Sequence, residues 1–222
     1  MATAENPHLT YFNGRGYGES IRIILAAAGL KFTETLVTKK EQLDKLRADG
    51  ELFFMQLPML KIDGMTLVQT KAIIRYIAKK YGLDGKTPED KIRVDILNEG
   101  ARDFVMDFLW IGFVSDEDKN MEKIKTQILP RYRPIYEKIL TESKSGYLVG
   151  DDLSLADLTL LEALLSCEDY VPGSLDGYPK LQEFKARVSS LPGIKEFLEG
   201  PQRKPIHTQE YVDECKRAWG EI

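Results

Sequence analysis

The sequence predicts a small mixed α/β domain over residues 1–83, followed by an all-helical domain over residues 84–222. Up to Gly82, short strand-like segments alternate with amphipathic helices in the order βαβαββα. From about Lys86 onward strand signals nearly vanish, and apolar residues recur at helical spacing. Glycine, aspartate and proline cluster between Gly82 and Pro88, which is where we place the linker.

The first domain begins with a strand, a crossover helix and a second strand. Residues 9–13 alternate weakly in polarity, and Glu19 to Ala28 carries its apolar residues on one face. Gly29 ends this helix, and Phe32–Val37 follows as a strand. Because a helical crossover joins strands that run in the same direction, we predict that these two strands are parallel.

The rest of this domain is predicted to contain a hairpin between two helices. Asp63-Gly64 separates two apolar segments, a pattern typical of a tight antiparallel hairpin. The predicted elements are a helix capped by Thr38 and Glu41, strands at Pro58–Ile62 and Thr66–Val68, and a helix at Thr70–Tyr81.

The second domain is predicted to contain helices only. Ser154 and Asp157 have the spacing of a capping box before the apolar stretch Leu158–Cys167. The other segments with helical periodicity are Ile92–Val114, Glu122–Leu140, Leu181–Ser190 and Gln209–Ala218.

Composition argues against several classes of protein. Hydrophobic residues make up 43% and charged residues 30%, as in ordinary globular domains. The net charge is −4 with both signs interspersed, so no basic stripe would attract nucleic acid. No apolar run approaches the roughly 18 residues that cross a bilayer, and the polar segment Met1–Pro7 does not resemble a secretory signal.

Cysteine and histidine are scarce. The chain has two of each, without CxxC or HxxxH spacing, so we expect neither a metal site nor a disulfide framework. Cytoplasmic, reducing surroundings fit this usage. Cys167 lies in an apolar stretch, which favours a buried structural thiol over a catalytic one.

The loop Gly14-Arg15-Gly16 lies between the first strand and the first helix. A dinucleotide fingerprint would need a third glycine where the chain has Glu19, and a thioredoxin-type redox motif would need cysteines in the loop. If this domain handles thiols, the thiol therefore arrives on the substrate. Backbone N–H groups at the start of the helix would favour its thiolate.

Two further positions are candidates for ligand contact. Gln69-Thr70 lies where a strand turns into a helix, so free N–H groups there could hold a carboxylate. Thr70 fits a plain N-cap equally well. Pro58 begins a strand, where either a cis or a trans peptide bond fits.

Short motifs along nearly the whole chain after residue 7 match one known family. They are Tyr11–Gly16, Glu19–Arg22, Leu25–Gly29, Gln56–Pro58, Ile62–Met65, Leu67–Thr70, Arg131-Tyr132, Tyr147–Gly150, Ser154–Asp157 and Arg203–Pro205. Together they resemble alpha-class cytosolic glutathione S-transferases. The resemblance implies a thioredoxin-like N-terminal domain, a helical C-terminal domain and a cytoplasmic homodimer. It also implies that glutathione is a co-substrate and that no further cofactor takes part.

The resemblance further implies conjugation of the glutathione thiolate to hydrophobic electrophiles, with peroxidase activity on organic hydroperoxides as an optional extra. Tyr11 matches the catalytic tyrosine, whose hydroxyl donates a hydrogen bond to the sulfur and favours its ionised form. On its own Tyr11 would be an ordinary strand tyrosine. The glutathione residues implied by the resemblance are Tyr11, Arg47, Gln56, Leu57, Pro58, Gln69, Thr70, Asp103 and Arg131.

Some of these residues are implied to act between subunits. Asp103 and Arg131 match residues that reach glutathione from the neighbouring subunit, and Phe54 matches an aromatic residue that inserts into that subunit. Without the resemblance, the two charged residues and Arg47 would lie on solvated helix faces, and Phe54 would be a core residue.

Tyr17 departs from the family pattern, which has a basic residue at this position near the sulfur. Tyrosine is neutral at pH 7 and supplies a hydrogen bond at most. Arg15 and Arg22 match other arginines of the pattern, which we interpret as structural.

The electrophile site implied by position is mostly apolar. Its residues are Phe12, Gly16, Leu109, Trp110, Phe113, His207, Val212, Cys215 and Trp219. The amphipathic segment Gln209–Ala218 resembles the helix that covers this site in the alpha class, although a helix packed on the core would show the same pattern.

Two other functions remain open from the sequence: a carrier of hydrophobic ligands, and a structural protein of the lens-crystallin type. The retained Tyr11, Gln56, Gln69, Thr70 and Asp103 favour the enzyme, whereas the neutral Tyr17 does not. A weaker similarity to the sigma class rests on the segments at 10–13 and 17–19, while the segment at 67–70 and the C-terminal helix favour the alpha class.

Overall fold

The computed structural model describes residues 6–219 and confirms a mixed α/β part followed by a helical part. Tyr11 lies in the first strand, which is followed by a 3-10 turn at Gly16–Gly18. The helices and strands of the first part, including that first strand, are α1 (Glu19–Ala27), α2 (Lys40–Ala48), α3 (Thr70–Lys80), β1 (His8–Phe12), β2 (Thr33–Val37), β3 (Met59–Ile62) and β4 (Met65–Val68).

The four strands form one sheet in the order β2-β1-β3-β4. β1 and β2 are parallel, with Tyr11 opposite Leu36, and the other two pairs are antiparallel. Asp63 and Gly64 both have positive φ, 54° and 73°, as the two-residue turn of a β3–β4 hairpin requires. The predicted βαβαββα order and strand directions are confirmed.

Helix α1 connects the sheet to the helical part. Its residues from Glu19 to Ala26 are all buried, because it packs against α3, α7 and α9. Charged residues are normally exposed in helices, yet Arg22 is fully buried here. It is held by ion pairs with Glu34, at 2.6 Å, and with Glu19, at 3.3 Å.

Helix α7 is the centre of the helical part and is buried along almost its whole length. Its N-terminus has the predicted capping box, in which Asp157 accepts hydrogen bonds from the backbone N–H and the hydroxyl of Ser154. Burial raises the pKa of Asp157 to about 6. The helices are α4 (Pro88–Leu109), α5 (Glu117–Lys123), α6 (Leu129–Glu142), α7 (Leu155–Tyr170), α8 (Pro179–Ser189), α9 (Pro192–Glu199) and α10 (Gln209–Trp219).

Three details differ from the sequence prediction. Thr38 and Glu41 do not cap α2; instead the Gln42 side chain accepts hydrogen bonds from the N–H groups of Thr38 and Lys39. A π-helical turn at Ile124–Ile128 joins α5 to α6 within the region predicted as one helix. Helix α9 was not predicted because it is short and contains a glycine.

Candidate active site

Tyr11 lies at the carboxyl end of β1, under the turn formed by Gly16–Gly18. Its side chain is 4% exposed, and its hydroxyl accepts a 2.9 Å hydrogen bond from the backbone N–H of Tyr17. Burial raises the pKa of Tyr11, while the Tyr17 N–H lowers it by less. Tyr11 is therefore a neutral phenol at pH 7 and retains a proton that it can donate.

The two glycines of this turn leave room for the Tyr11 ring. A Cβ atom on Gly16 would lie 2.5 Å from the Tyr11 hydroxyl oxygen, and one on Gly18 would lie 2.6 Å from a ring carbon. Gly16 also has a positive φ of 38°, which disfavours any side chain. The loop that the sequence shows as glycine-rich is thus shaped by contact with the tyrosine.

A cavity of about 580 Å³ opens beside this turn, between the sheet part and α4. This volume is typical of a small-molecule site. Six of the predicted glutathione residues line it, contributed by α2, the segment before β3 and the start of α3. The lining residues are Tyr17, Arg47, Gln56, Leu57, Pro58, Gln69, Thr70, Lys71, Arg102, Met106, Trp110 and Trp219.

The wall before β3 is formed by backbone as much as by side chains. The Leu57–Pro58 peptide bond is cis, which selects one of the two alternatives left open by the sequence. Arg47 donates a 3.1 Å hydrogen bond from Nε to the carbonyl oxygen of Met55, and it contacts Asp44 on its own helix. Arg47 thereby connects α2 to the segment that carries Gln56 and Leu57.

The junction at Gln69 and Thr70 has unusual backbone geometry. Gln69 has φ 69° and ψ 109°, a conformation that non-glycine residues rarely adopt and that is often found at ligand sites. The cap position is Gln69, so the alternative that Thr70 is a plain N-cap is wrong; the Thr70 hydroxyl donates to the carbonyl oxygen of Tyr17 at 3.2 Å. The first N–H groups of α3 lack intrahelical acceptors and lie at the cavity wall, where they suit a carboxylate.

Asp103 and Arg131 lie outside this cavity, and both are exposed. The Arg131 guanidinium lies over the Tyr132 ring at 5.0 Å. Phe54 is 55% exposed and packs edge to face against Phe53, which is 79% exposed. The alternative that Phe54 is a core residue is therefore wrong.

A second, much smaller cavity of about 20 Å³ adjoins Tyr11 on the side of α10. It has room for about one water molecule. Its lining is apolar and includes seven of the predicted electrophile residues. The lining residues are Tyr11, Phe12, Gly16, Tyr17, Leu109, Trp110, Phe113, Tyr211, Cys215 and Trp219.

Aromatic side chains from α10 close this second cavity. Trp219 packs edge to face on Phe12, with ring centroids 5.5 Å apart, and also contacts Phe113. The Tyr211 ring lies so close to Gly14 that a Cβ atom there would be 2.2 Å from it. Burial raises the pKa of the Cys215 thiol to about 12, so it remains protonated at neutral pH.

Two residues predicted for the electrophile site lie behind its wall. His207 is half-buried, packs against Phe113 and Tyr211, and contacts the Ile111 carbonyl oxygen through Nδ1 at 3.1 Å. Burial lowers its pKa. Val212 packs against Gly112, where a Cβ atom would lie 2.7 Å from it.

Four lining residues escaped the sequence analysis. Tyr211 could have been found, since it lies one turn before Cys215 on the buried face of α10. Arg102 and Met106 share the face of α4 that ends at Leu109 and Trp110. Arg102 could not be found from this pattern, because a charged side chain on a helix is normally exposed to solvent. Lys71 gave no signal.

The arginines of the loop and of α1 are occupied elsewhere. Arg15 donates to Asp169 at 2.5 Å and to the Lys204 carbonyl oxygen at 2.8 Å, which connects the loop to the helical part. Arg22 is paired with Glu34 and donates to the Gly14 carbonyl oxygen. Both roles agree with the structural interpretation from sequence.

Within residues 6–219, no helix is both long enough and apolar enough to cross a bilayer. Over the same range, histidine, cysteine and carboxylate side chains form no group of three or more that could hold a metal ion.

The fold and the cavity place the chain in a class of two-domain proteins in which a thioredoxin-like domain and a helical domain form one small-molecule site. Two family models match it: "Glutathione S-transferase, N-terminal domain" over residues 7–79, and "Glutathione S-transferase, C-terminal domain" over residues 103–201. The chain belongs to the glutathione S-transferase family.

Curated relatives support the alpha class. Glutathione S-transferase A3 of Mus musculus is 44% identical over 217 residues, covering 96% of this chain and 98% of the relative. Glutathione S-transferase 3 of Gallus gallus is 46% identical over 217 residues, covering 96% and 95%. Glutathione S-transferase alpha-5 of Rattus norvegicus is 44% identical over 214 residues, covering 95% and 97%.

Solved structures show the same fold. A glutathione S-transferase of Necator americanus, described as monomeric, is 35% identical with a TM-score of 0.77, covering 88% of this chain and 97% of its own. The enzyme from Ascaris lumbricoides is 34% identical with a TM-score of 0.75, covering 87% and 96%.

Proposed function

We propose that this chain activates glutathione with Tyr11 and transfers the thiolate to hydrophobic electrophiles. The observation that carries the proposal is the buried, protonated Tyr11 hydroxyl, which adjoins an apolar cavity and lies under the turn that borders the large cavity. Because the Tyr17 N–H donates to a lone pair of this hydroxyl, the phenolic proton is left free to point at a ligand.

The reaction needs no group beyond these. Glutathione loses its thiol proton to solvent, and the hydrogen bond from Tyr11 stabilises the resulting thiolate. The sulfur electron pair then forms a bond to the electrophilic carbon. In a substitution the leaving group departs with the electrons of its bond. In an addition the electrons of the electrophile's double bond move to its other end, which takes up a proton. Glutathione is consumed as a co-substrate.

In this proposal the tripeptide lies along the large cavity. The N–H groups at the start of α3, with Gln69 and Thr70, hold the γ-glutamyl carboxylate. The Leu57 backbone before cis-Pro58 pairs with the cysteinyl residue, and Gln56 and Arg47 lie at the glycyl end. Their position in one wall supports this assignment.

We further propose a homodimer that completes the site. Asp103 and Arg131 are exposed and lie outside the cavity, which fits residues that serve the neighbouring subunit. The exposed pair Phe53 and Phe54 supports an aromatic contact between subunits, since apolar patches of this kind mark interfaces.

Mixed dimers test this arrangement. One subunit carries Asp103→Ala and the other carries Thr70→Ala. Shared sites predict one doubly impaired site and one intact site in each dimer, whereas two equally impaired sites would contradict sharing.

We also propose that residues 1–83 and 84–222 are the two domains, that the protein acts in the cytoplasm, and that the same thiolate reduces organic hydroperoxides. The scarcity of cysteine supports the reducing location. The hydroperoxide activity rests on family resemblance alone.

The direct test is conjugation of glutathione to a general aryl halide, together with thiolate absorbance of the binary complex. We expect turnover and a glutathione thiol pKa below its value in solution. Tight glutathione binding without thiolate or turnover would favour a carrier or structural protein.

A further inference from the structure

Position 17 holds no cation, and its side chain is directed to other contacts. The Tyr17 hydroxyl donates to the Met106 sulfur at 3.4 Å, and its ring meets the Trp110 ring edge to face at 6.4 Å. Stabilisation of the thiolate by a nearby positive side chain must then come from another residue.

Three cationic side chains line the large cavity: Arg47, Lys71 and Arg102. The Arg47 side chain is 29% exposed and forms an ion pair with Asp44. The Lys71 side chain is 50% exposed and forms an ion pair with Glu99. Solvent screens charges at such positions. Arg102 is 1% exposed, so its charge acts through a medium of low dielectric constant.

Arg102 is also incompletely neutralised. Its Nη1 donates to the Ser20 hydroxyl at 2.5 Å, and that hydroxyl donates to Glu162 at 2.5 Å, so a neutral group lies between the two charges. Among residues 6–219, neither Arg102 Nε nor Glu162 Oε1 has a hydrogen-bond partner. A buried charge without a direct counter-ion is costly and calls for a compensating role.

The position of Arg102 connects it to the turn above Tyr11. Its guanidinium lies 6.0 Å from the centre of the Tyr17 ring, on the face of α4 that also carries Met106. From other elements, Glu162 on α7 faces Arg102, and Glu162 in turn lies near Glu19 on α1 and near Arg203. Burial raises the pKa of Glu162, while the nearby Arg102 charge lowers it by less.

We propose that Arg102 supplies the positive charge of the glutathione site and stabilises the bound thiolate from beneath the Tyr17 ring. The proposal rests on the proposed glutathione site. Arg102 acts at a distance, through the electric field of a buried charge, and makes no contact with the sulfur. A unit charge about 10 Å from a thiolate shifts the thiol pKa by up to about one unit at an effective dielectric constant of about 20.

The test measures the glutathione thiol pKa in the binary complex of Arg102→Met, which removes the charge and retains much of the volume. We expect a rise of about 0.5 to 1 unit and a three- to tenfold lower rate at pH values where the thiolate fraction limits turnover. The dissociation constant of S-methylglutathione, which has no thiol, should change less than about twofold. Arg102→Lys should retain most of the acidity.

A rescue experiment separates charge from structure. Adding Tyr17→Arg to Arg102→Met restores a cation near the sulfur without restoring the Arg102 side chain or its contact with Ser20, and it should return the thiol pKa toward the wild-type value. Arg93→Met, at an exposed position earlier on α4, is the matched control and should leave the pKa unchanged.

Several results would overturn the proposal. An unchanged thiol pKa in folded Arg102→Met would leave Arg102 a structural residue. Weakened S-methylglutathione binding at a constant thiol pKa would show that Arg102 binds the peptide instead.

If the Arg102→Met variant does not fold, the Glu162→Gln variant is measured in its place. Removing the carboxylate that opposes Arg102 should lower the glutathione thiol pKa, and an unchanged pKa would contradict the proposal. If the wild-type binary complex shows no thiolate absorbance, the proposed glutathione site itself is refuted.

Discussion

The two cavities that Tyr17 borders differ in size, lining and origin. The larger, about 580 Å³, is lined by polar side chains and backbone from the sheet part and by one face of α4. The smaller, about 20 Å³, is apolar and is closed by aromatic rings from α10 and from the segment that follows α4. The larger cavity is already formed in the fold, whereas the space of the smaller one is filled by side chains of the protein itself.

This difference indicates how the two substrates enter. A polar tripeptide needs fixed hydrogen-bond partners, and the sheet, the cis peptide bond and the start of α3 supply them before binding. A hydrophobic electrophile needs only apolar volume, which rings at the end of a terminal helix can release by moving. We therefore expect glutathione to bind a preformed site and the electrophile to displace α10.

The largest effect is expected from Tyr11→Phe, which removes the hydroxyl that adjoins the small cavity and lies under the turn bordering the large one. The loss of one hydrogen bond to a charged sulfur should cost about 1 to 3 kcal/mol of thiolate stabilisation, or roughly 5- to 150-fold in rate. Thiolate absorbance against pH measures it. Tyr147→Phe, in the helical part, is the control, and a normal thiol pKa in Tyr11→Phe would remove Tyr11 from catalysis.

Gly16→Ala should act on the same hydroxyl through crowding. The new Cβ would lie 2.5 Å from the Tyr11 oxygen, so we expect about a tenfold loss of turnover and a raised thiol pKa. Gly50→Ala is matched, because Gly50 also has positive φ but has open space around it. Equal activities of the two variants would contradict the expected displacement of the Tyr11 hydroxyl.

Trp219→Ala should enlarge the closed cavity, while the formed one, which Trp219 also lines, keeps its polar residues. We expect KM for bulky electrophiles to fall several-fold, while KM for a small aryl halide changes little, because the indole occupies the space that a large substrate needs. Ile206→Ala, at an exposed position before α10, serves as the control. Equal losses for small and large substrates would mean that Trp219 binds the electrophile rather than excludes it.

The smallest effect is expected from Tyr17→Arg in the wild-type background. A cation at position 17 favours the thiolate, but the start of α1 and Arg102 already contribute positive potential, so the gain below the thiol pKa should stay under about threefold. The pH–rate profiles of mutant and wild type should converge at high pH, where glutathione is ionised in both. A lower rate at every pH would assign Tyr17 a role that the family pattern does not contain.

The sequence predicted the parts of the molecule that depend on local pattern. The order of elements along the chain, the parallel β1–β2 pair, the Asp63-Gly64 hairpin and the capping box of α7 follow from periodicity and turn chemistry over a few residues. Family motifs likewise placed six residues that the structure gathers in one cavity wall.

The tertiary structure decided what depends on residues far apart in the chain. The donor to Tyr11 is a backbone N–H with no sequence signal, and His207 lies behind a ring rather than in the pocket. Arg102 is the sharpest case: an arginine on a helix reads as solvated, yet it is buried against Ser20, 82 positions away. Sequence alone determines which side chains are available. How deeply a side chain is buried and which way it points are decided only when distant elements pack together. Burial and orientation in turn determine that Tyr11 keeps its proton and how strongly the Arg102 charge acts at the site.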